Sequence, residues 1–168
     1  VLSDANPEEL VPGAQYAQAE SDADRRYSIN LEEEDKRGGH GKEKHVGKTD
    51  EELLEVLRKD WIRRHTPNLE ITVFQEAEGS FNSLMEANDI VNQALRRNKS
   101  LVDLVATGKL DEARFHQRLG YPTGREAFRS NGDSEPYIRS TYGVYIIIKR
   151  DLSSPRGYRV HTAYPVNR

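Results

Sequence analysis

Val144-Tyr145-Ile146-Ile147-Ile148-Lys149 decides the fold. β-Branched and aromatic residues fill it, so it reads as a strand. Its apolar residues fall on both faces, which places it in the middle of a sheet. Downstream, Asp151 to Gly157, with Ser-Ser-Pro inside, reads as a hairpin loop. Tyr158 to Tyr164 then forms the last strand, stopped by Pro165. Strict alternation would put Tyr158, Val160, Thr162 and Tyr164 on one face and Arg159, His161 and Ala163 on the other, with His161 pointing outward. Upstream, Asn131-Gly132-Asp133 marks a turn, and Gly, Pro, Thr and Ser punctuate the chain from Gly120 onward.

Before Gly120 the texture is helical. Thr49-Asp50-Glu51-Glu52 fits a capping box, and Leu53, Val56, Leu57 and Trp61 form one apolar stripe behind it. Pro67 and Asn68 end that segment, and Leu69 to Phe74 alternates like a short strand. Ser80 is positioned to cap a second helix over Phe81–Asn98, with Leu84, Ala87, Val91 and Leu95 on its core face, widened by Met85 and Ile90. A further helical piece, Leu101 to Thr107, closes at Gly108. Leu110 to Leu119 is either a third helix or mixed. The expected architecture is α+β: N-terminal helices packed on a C-terminal antiparallel sheet. No internal repeat is visible.

The chain has 168 residues, 32% charged and 35% apolar, and no cysteine. Disulfides, thiolate metal sites and thiol catalysis are therefore excluded. No apolar run approaches the roughly 20 residues that span a bilayer, no signal peptide is visible, and stable membrane association is not expected. The first residue is not Met, which suggests a piece of a longer protein. The net charge of −3 is uneven: residues 1–37 carry ten acids and four bases, and the remainder is net positive by three. Residues 1–37 read as an acidic linker or leader, with Glu32-Glu33-Glu34-Asp35 as a solvated charge block. Residues 38–168 read as the folded domain. A mildly basic body is compatible with a polyanionic substrate.

Chemistry is concentrated in Gly38-Gly39-His40-Gly41-Lys42-Glu43-Lys44-His45-Val46-Gly47-Lys48, directly before the first helix. Histidine titrates nearest neutrality and suits proton transfer; lysine offers fixed positive charge; glycine admits close backbone approach. Two histidines five apart, with no Asp or Cys at a ligand spacing, are a poor zinc signature, so no metal is assigned. A nucleotide-binding phosphate loop would need a buried strand before it, and only an acidic polar run precedes. A basic loop with solvated histidines stays open on the residues alone. Of the other histidines, His65 and His116 read as exposed, His116 within a helical stretch.

Taken together, Gly38-Gly39-His40, Lys44-His45-Val46-Gly47-Lys48-Thr49 with Glu52-Leu53-Leu54 behind it, and Gly157-Tyr158 with Thr162-Ala163-Tyr164-Pro165 resemble the bacterial RNase A-like toxin domain. That domain lies at the C-termini of contact-dependent growth inhibition proteins and other polymorphic toxins. The likeness spans roughly residues 38 to 166. It implies an RNase A-like fold without disulfides and a ribonuclease that needs no metal or other cofactor. Cleavage would proceed through the 2′-OH to a 2′,3′-cyclic phosphate, leaving DNA inert. It further implies an RNA substrate, tRNA among the candidates, a cognate immunity protein, and a monomer. Delivery would be from the cell surface or by secretion, as part of a larger effector acting in the target-cell cytoplasm.

The resemblance places catalytic function on His45, Thr162 and Tyr164. His40 is added as partner to His45, Lys48 as charge stabiliser, and Arg58 and Arg125 as substrate-binding cations. Many members carry Arg where this chain has Val56. Arg58 lies about 200° further round the helix at 3.6 residues per turn. A non-catalytic RNA- or protein-binding module and an inactive toxin relic are the alternatives.

Overall fold

The computed structural model describes residues 22–64 and 74–167. In chain order the described elements are α1 (Asp22–Arg25), α2 (Leu31–Lys36), α3 (Gly41–His45), α4 (Asp50–Arg64), β1 (Ala77–Ser80), α5 (Leu84–Arg97), α6 (Lys99–Ala106), β2 (Glu112–Arg118), β3 (Gly124–Phe128), β4 (Tyr137–Thr141), β5 (Gly143–Arg150) and β6 (Tyr158–Val166). They make an α+β fold with two antiparallel three-stranded sheets, ordered β1-β3-β4 and β2-β5-β6.

β5 is central in its sheet, as its two-faced apolar run requires. Ile146 and Ile148 are fully buried, each stabilising the fold by about 1.5–3 kcal/mol relative to exposure. With Val144, Phe115, Val160 and Ala163 they meet Ala87, Val91 and Leu95 of α5 and Val102 and Val105 of α6 in the main core. A second, small core joins Leu53 and Leu57 of α4 to Ala127 of β3. The capping box forms in both directions: Thr49 N–H donates to Glu52 Oε2 at 2.7 Å, and Glu52 N–H donates to Thr49 Oγ1 at 3.2 Å. Thr49→Ala removes half of it, at a cost of about 1 kcal/mol. The melting temperature of the domain should fall by roughly 2–4 °C in calorimetry.

Several expectations are corrected. Within 110–119 the structure has a strand, Glu112–Arg118, because Ala113 and Phe115 alternate into the core and pair with Ile148 and Ile146. Ser80 does not cap the second helix. It ends β1, fully buried, and Ser83 is the cap, accepting from Glu86 N–H at 3.2 Å. Met85 and Val56 lie on the solvent side of their helices. β6 runs on through Pro165, which its place at the sheet edge allows. The strand expected over 69–74 lies outside the described residues apart from Phe74, as do His65, the side chain of Trp61 and most of the acidic leader.

Linker character does not extend to residue 37. Tyr27, Ile29 and Leu31 are buried in the main core. The Ile29 and Leu31 N–H groups donate to Asn92 and Asn88 of α5 at 2.8 and 2.9 Å. Nor is the acidic block wholly solvated: Glu34 is 1% exposed. Its Oε2 accepts from Val160 N–H at 2.9 Å, and Arg156 stands 3.8 Å from Oε1. Burial pushes its pKa up, against the pull of that N–H and of Arg156.

Candidate active site

α3 is a single short helix whose C-terminal residue, His45, is 8% exposed. His45 backbone carbonyl accepts from Phe81 N–H at 2.8 Å, and Gly47 N–H donates to Phe81 carbonyl at 2.9 Å, so the helix end is pinned to the exit of β1. Gly47 takes φ +69°, a left-handed angle that suits glycine, and this turns the chain toward α4. The His45 ring is held by Gly79 carbonyl, 3.0 Å from Nδ1. That oxygen can only accept, so Nδ1 carries the proton and Nε2 is the basic nitrogen. Glu78 Oε1 lies 3.7 Å from the same Nδ1, beyond hydrogen-bond distance.

Burial pushes the His45 pKa down to about 4, with the charges of His40, Lys44 and Lys48 adding to the effect and the Gly79 carbonyl opposing it. The ring is therefore neutral at pH 7, a proton acceptor and not a donor. Glu78 is pushed up by burial, offset by Gln75 and by the same two lysines. Lys44, Lys48, Val56, Lys59 and Glu78 line one hollow beside it, of about 290 Å³. Val56, where the resemblance expects Arg, thus faces a space supplied with three ammonium groups from other positions.

The other side of His45 is β6. The Tyr164 ring lies 5.1 Å from that of His45, centre to centre. Thr162 stands two residues earlier on the same face of the strand. Its hydroxyl is buried and has no hydrogen-bond partner among the described residues. A buried hydroxyl without a partner is costly.

Thr162 and Tyr164 reach this face through a bulge. β5 and β6 pair as Ile148↔Val160 and then Ile147↔Thr162, so His161 is the extra residue. Tyr158 and Val160 therefore enter the core while Thr162 and Tyr164 turn to the opposite face, contrary to the unbroken alternation expected from sequence. His161 does not point away into solvent. It is half-buried, its ring packs edge-on against His40 at 4.7 Å, and His40 N–H donates to its carbonyl at 2.9 Å. His40 is thus paired with His161 at one end of α3, while His45 occupies the other end. Both rings of that pair are pushed down, by burial first and by neighbouring lysine charge.

Arg125 stands near the site but is engaged. It donates to Lys48 carbonyl at 3.1 Å and to Asn82 Oδ1 at 3.3 Å, and pairs with Asp50. Arg58 is not brought to His45: it is held by Glu135 at 2.8 Å and Glu51 at 3.1 Å and lines a separate hollow. Sequence reasoning missed Glu78 and the Gly79 carbonyl, which lie in Ala77-Glu78-Gly79-Ser80, a stretch with no strand signal of its own. It also missed a row of rings. His116, Tyr145 and Tyr164 are direct cross-strand neighbours on β2, β5 and β6, with ring centres 4.6 and 5.1 Å apart.

Residues 39–165 match the family described as the bacterial CdiA-CT RNAse A domain. The chain belongs to that family. Among solved structures it is similar to the crystal structure of a CdiA-CT/CdiI complex from Y. kristensenii 33638. That likeness has 28% identity and a TM-score of 0.56, over 76% of this chain and 99% of that one. No curated protein matches. Family membership accounts for an α+β fold without cysteines and gives the chain the character of a ribonuclease-type toxin domain of contact-dependent growth inhibition. Among the described residues no group of three His, Asp or Glu could hold a metal ion, and no helix is long and apolar enough to cross a membrane.

Proposed function

We propose that this domain is an endoribonuclease toxin that cuts RNA by transphosphorylation without a metal ion. The observation that carries the reading is the meeting of His45 and Tyr164, 119 positions apart in the chain, on one face beside a lysine-lined hollow. His45 Nε2 takes the proton of a ribose 2′-OH. The freed O2′ attacks the adjacent phosphorus, and the bond from phosphorus to O5′ breaks. A 2′,3′-cyclic phosphate and a 5′-hydroxyl end result. Lys48, with Lys44, stabilises charge on the phosphorane, and Thr162 Oγ1 donates to a phosphoryl oxygen. Tyr164, whose ring adjoins that of His45, protonates the leaving O5′, a role that His40, packed on His161, is less well placed to fill. Arg125 positions the Lys48 backbone and does not bind substrate directly.

By analogy with the CdiA-CT/CdiI complex, the domain acts as the C-terminal toxin part of a larger effector delivered to a competing cell. It works on RNA in the cytoplasm there and is neutralised by a cognate immunity protein. Purified protein should degrade total RNA in excess EDTA, leave DNA intact, and yield 2′,3′-cyclic phosphate ends by mass spectrometry. Cleavage that stops on chelation, or ends carrying a 5′-phosphate, would reject the scheme.

A further inference from the structure

β6 is the edge strand of its sheet, and its bulge takes two backbone partners from outside the sheet. Val160 N–H donates to Glu34 Oε2 at 2.9 Å, and His161 carbonyl accepts from His40 N–H at 2.9 Å. Between those two anchors the chain runs close against the strand. A Cβ on Gly39 would stand 2.7 Å from the Val160 carbonyl oxygen and 3.2 Å from that of His161. The segment is tied down nearby, by Leu31 in the main core and by Arg37, which donates to Ser153 carbonyl at 3.1 Å. Residues 34–40 therefore brace β6 where its register against β5 shifts. The family match begins at residue 39, so Glu34 lies outside it.

A buried carboxyl is costly, and this one is only half compensated. Its Oε1 has no hydrogen bond among the described residues, and Arg156 stands 3.8 Å away, beyond hydrogen-bond distance. An apolar side chain would fill the same space, but it would leave Val160 N–H without an acceptor two residues before Thr162. We infer that Glu34 is a positioning residue for the reaction: by holding Val160 N–H it fixes the bulge, and through the bulge the hydroxyls of Thr162 and Tyr164 on the face of His45. The catalytic part of this inference rests on the ribonuclease reading; the hold on β6 does not.

The test compares the full chain with Glu34→Met, which keeps the length and offers no oxygen, and Glu34→Gln, whose amide oxygen can accept the same N–H. On a quenched-fluorescence RNA oligonucleotide, E34M should lose on the order of 10²-fold in kcat with KM within a few-fold of wild type, the effect of displacing groups by about 1 Å. E34Q should stay within a few-fold of wild type in both. By NMR, the cross-peak between the His45 and Tyr164 rings, 5.1 Å apart, should persist in E34Q and vanish in E34M. Wild type alone should show a coupling through the hydrogen bond from Val160 nitrogen to the Glu34 carboxyl carbon, so the proposal can fail even where E34M does not fold. Absence of that coupling, E34M with wild-type kcat and ring contact, or E34Q as slow as E34M would overturn it. Wild type that cuts RNA without the coupling keeps the ribonuclease and loses the role of Glu34. Ring contacts that respond as expected in a protein that leaves RNA whole keep the hold of Glu34 on β6 and lose the ribonuclease.

Discussion

His45→Asn lowers RNA cleavage by roughly 10²–10⁴-fold while leaving the melting temperature within a few degrees of wild type. The magnitude is that of losing a positioned general base. Asparagine is chosen because its amide N–H can still serve the Gly79 carbonyl that His45 Nδ1 serves at 3.0 Å, so the fold loses little. It has no basic nitrogen to offer the 2′-OH. Turnover within a few-fold of wild type, measured on total RNA at pH 7, would remove His45 from the mechanism. The pH profile adds a second reading of the same residue. Burial holds His45 near a pKa of about 4. The acid limb of kcat/KM should therefore lie near pH 4, well below the value of about 6.5 for a free imidazole.

Stability should follow the same titration. A histidine whose folded pKa lies below its unfolded value loses stability as pH falls from about 6.5 to about 4, by up to about 3 kcal/mol, and no further below that. Glu34 and Glu78, whose pKa values are raised by burial, act in the opposite sense. Their contribution is largest at low pH and fades as pH rises through their folded values. His45→Asn should flatten the His45 part of the curve, which urea melts at several pH values would show.

Gly79→Ala should damage the fold and the site together. A Cβ there would fall on the backbone carbonyl of Pro165 in β6, and nothing flexible is available to yield. β1 and β6 would have to separate, at a cost of about 1–3 kcal/mol or more, with a fall in melting temperature of up to roughly 10 °C. The shift would move two parts of the site at once. Gly79 carbonyl holds the His45 ring, and Pro165 follows Tyr164 directly. Misplacement by about 1 Å can cost on the order of 10²-fold in rate. Gly120→Ala is the control: a Cβ there meets no heavy atom within 4 Å, and both stability and turnover should be unchanged. A Gly79→Ala protein as stable and active as Gly120→Ala would show that the close approach of β1 and β6 is dispensable.

Much of this was legible in the residues because the signals are local. The Thr49–Glu52 cap, the Leu53 and Leu57 pair, the Ala87–Val91–Leu95 stripe and the two-faced run of β5 each follow from side-chain periodicity or from a hydrogen bond spanning three residues. The motif around His45 and the one ending the last strand were both visible as chemistry-bearing stretches, and the α+β order of elements followed from the change of texture at Gly120.

What the tertiary structure alone decided rests on pairings far apart in the chain. Ala77-Glu78-Gly79-Ser80 is a strand only because β3 pairs with it, and so the carbonyl that orients His45 could not be foreseen. Glu34 looks like one solvated acid among four until Val160, 126 residues away, donates to it in the core. Above all, a period-two pattern assumes unbroken register. One extra residue at His161 breaks it, sending Val160 inward and turning Thr162 and Tyr164 to the face where His45 waits. Alternation is a property of a strand by itself, whereas register is a property of two strands together, and the site is built on the second.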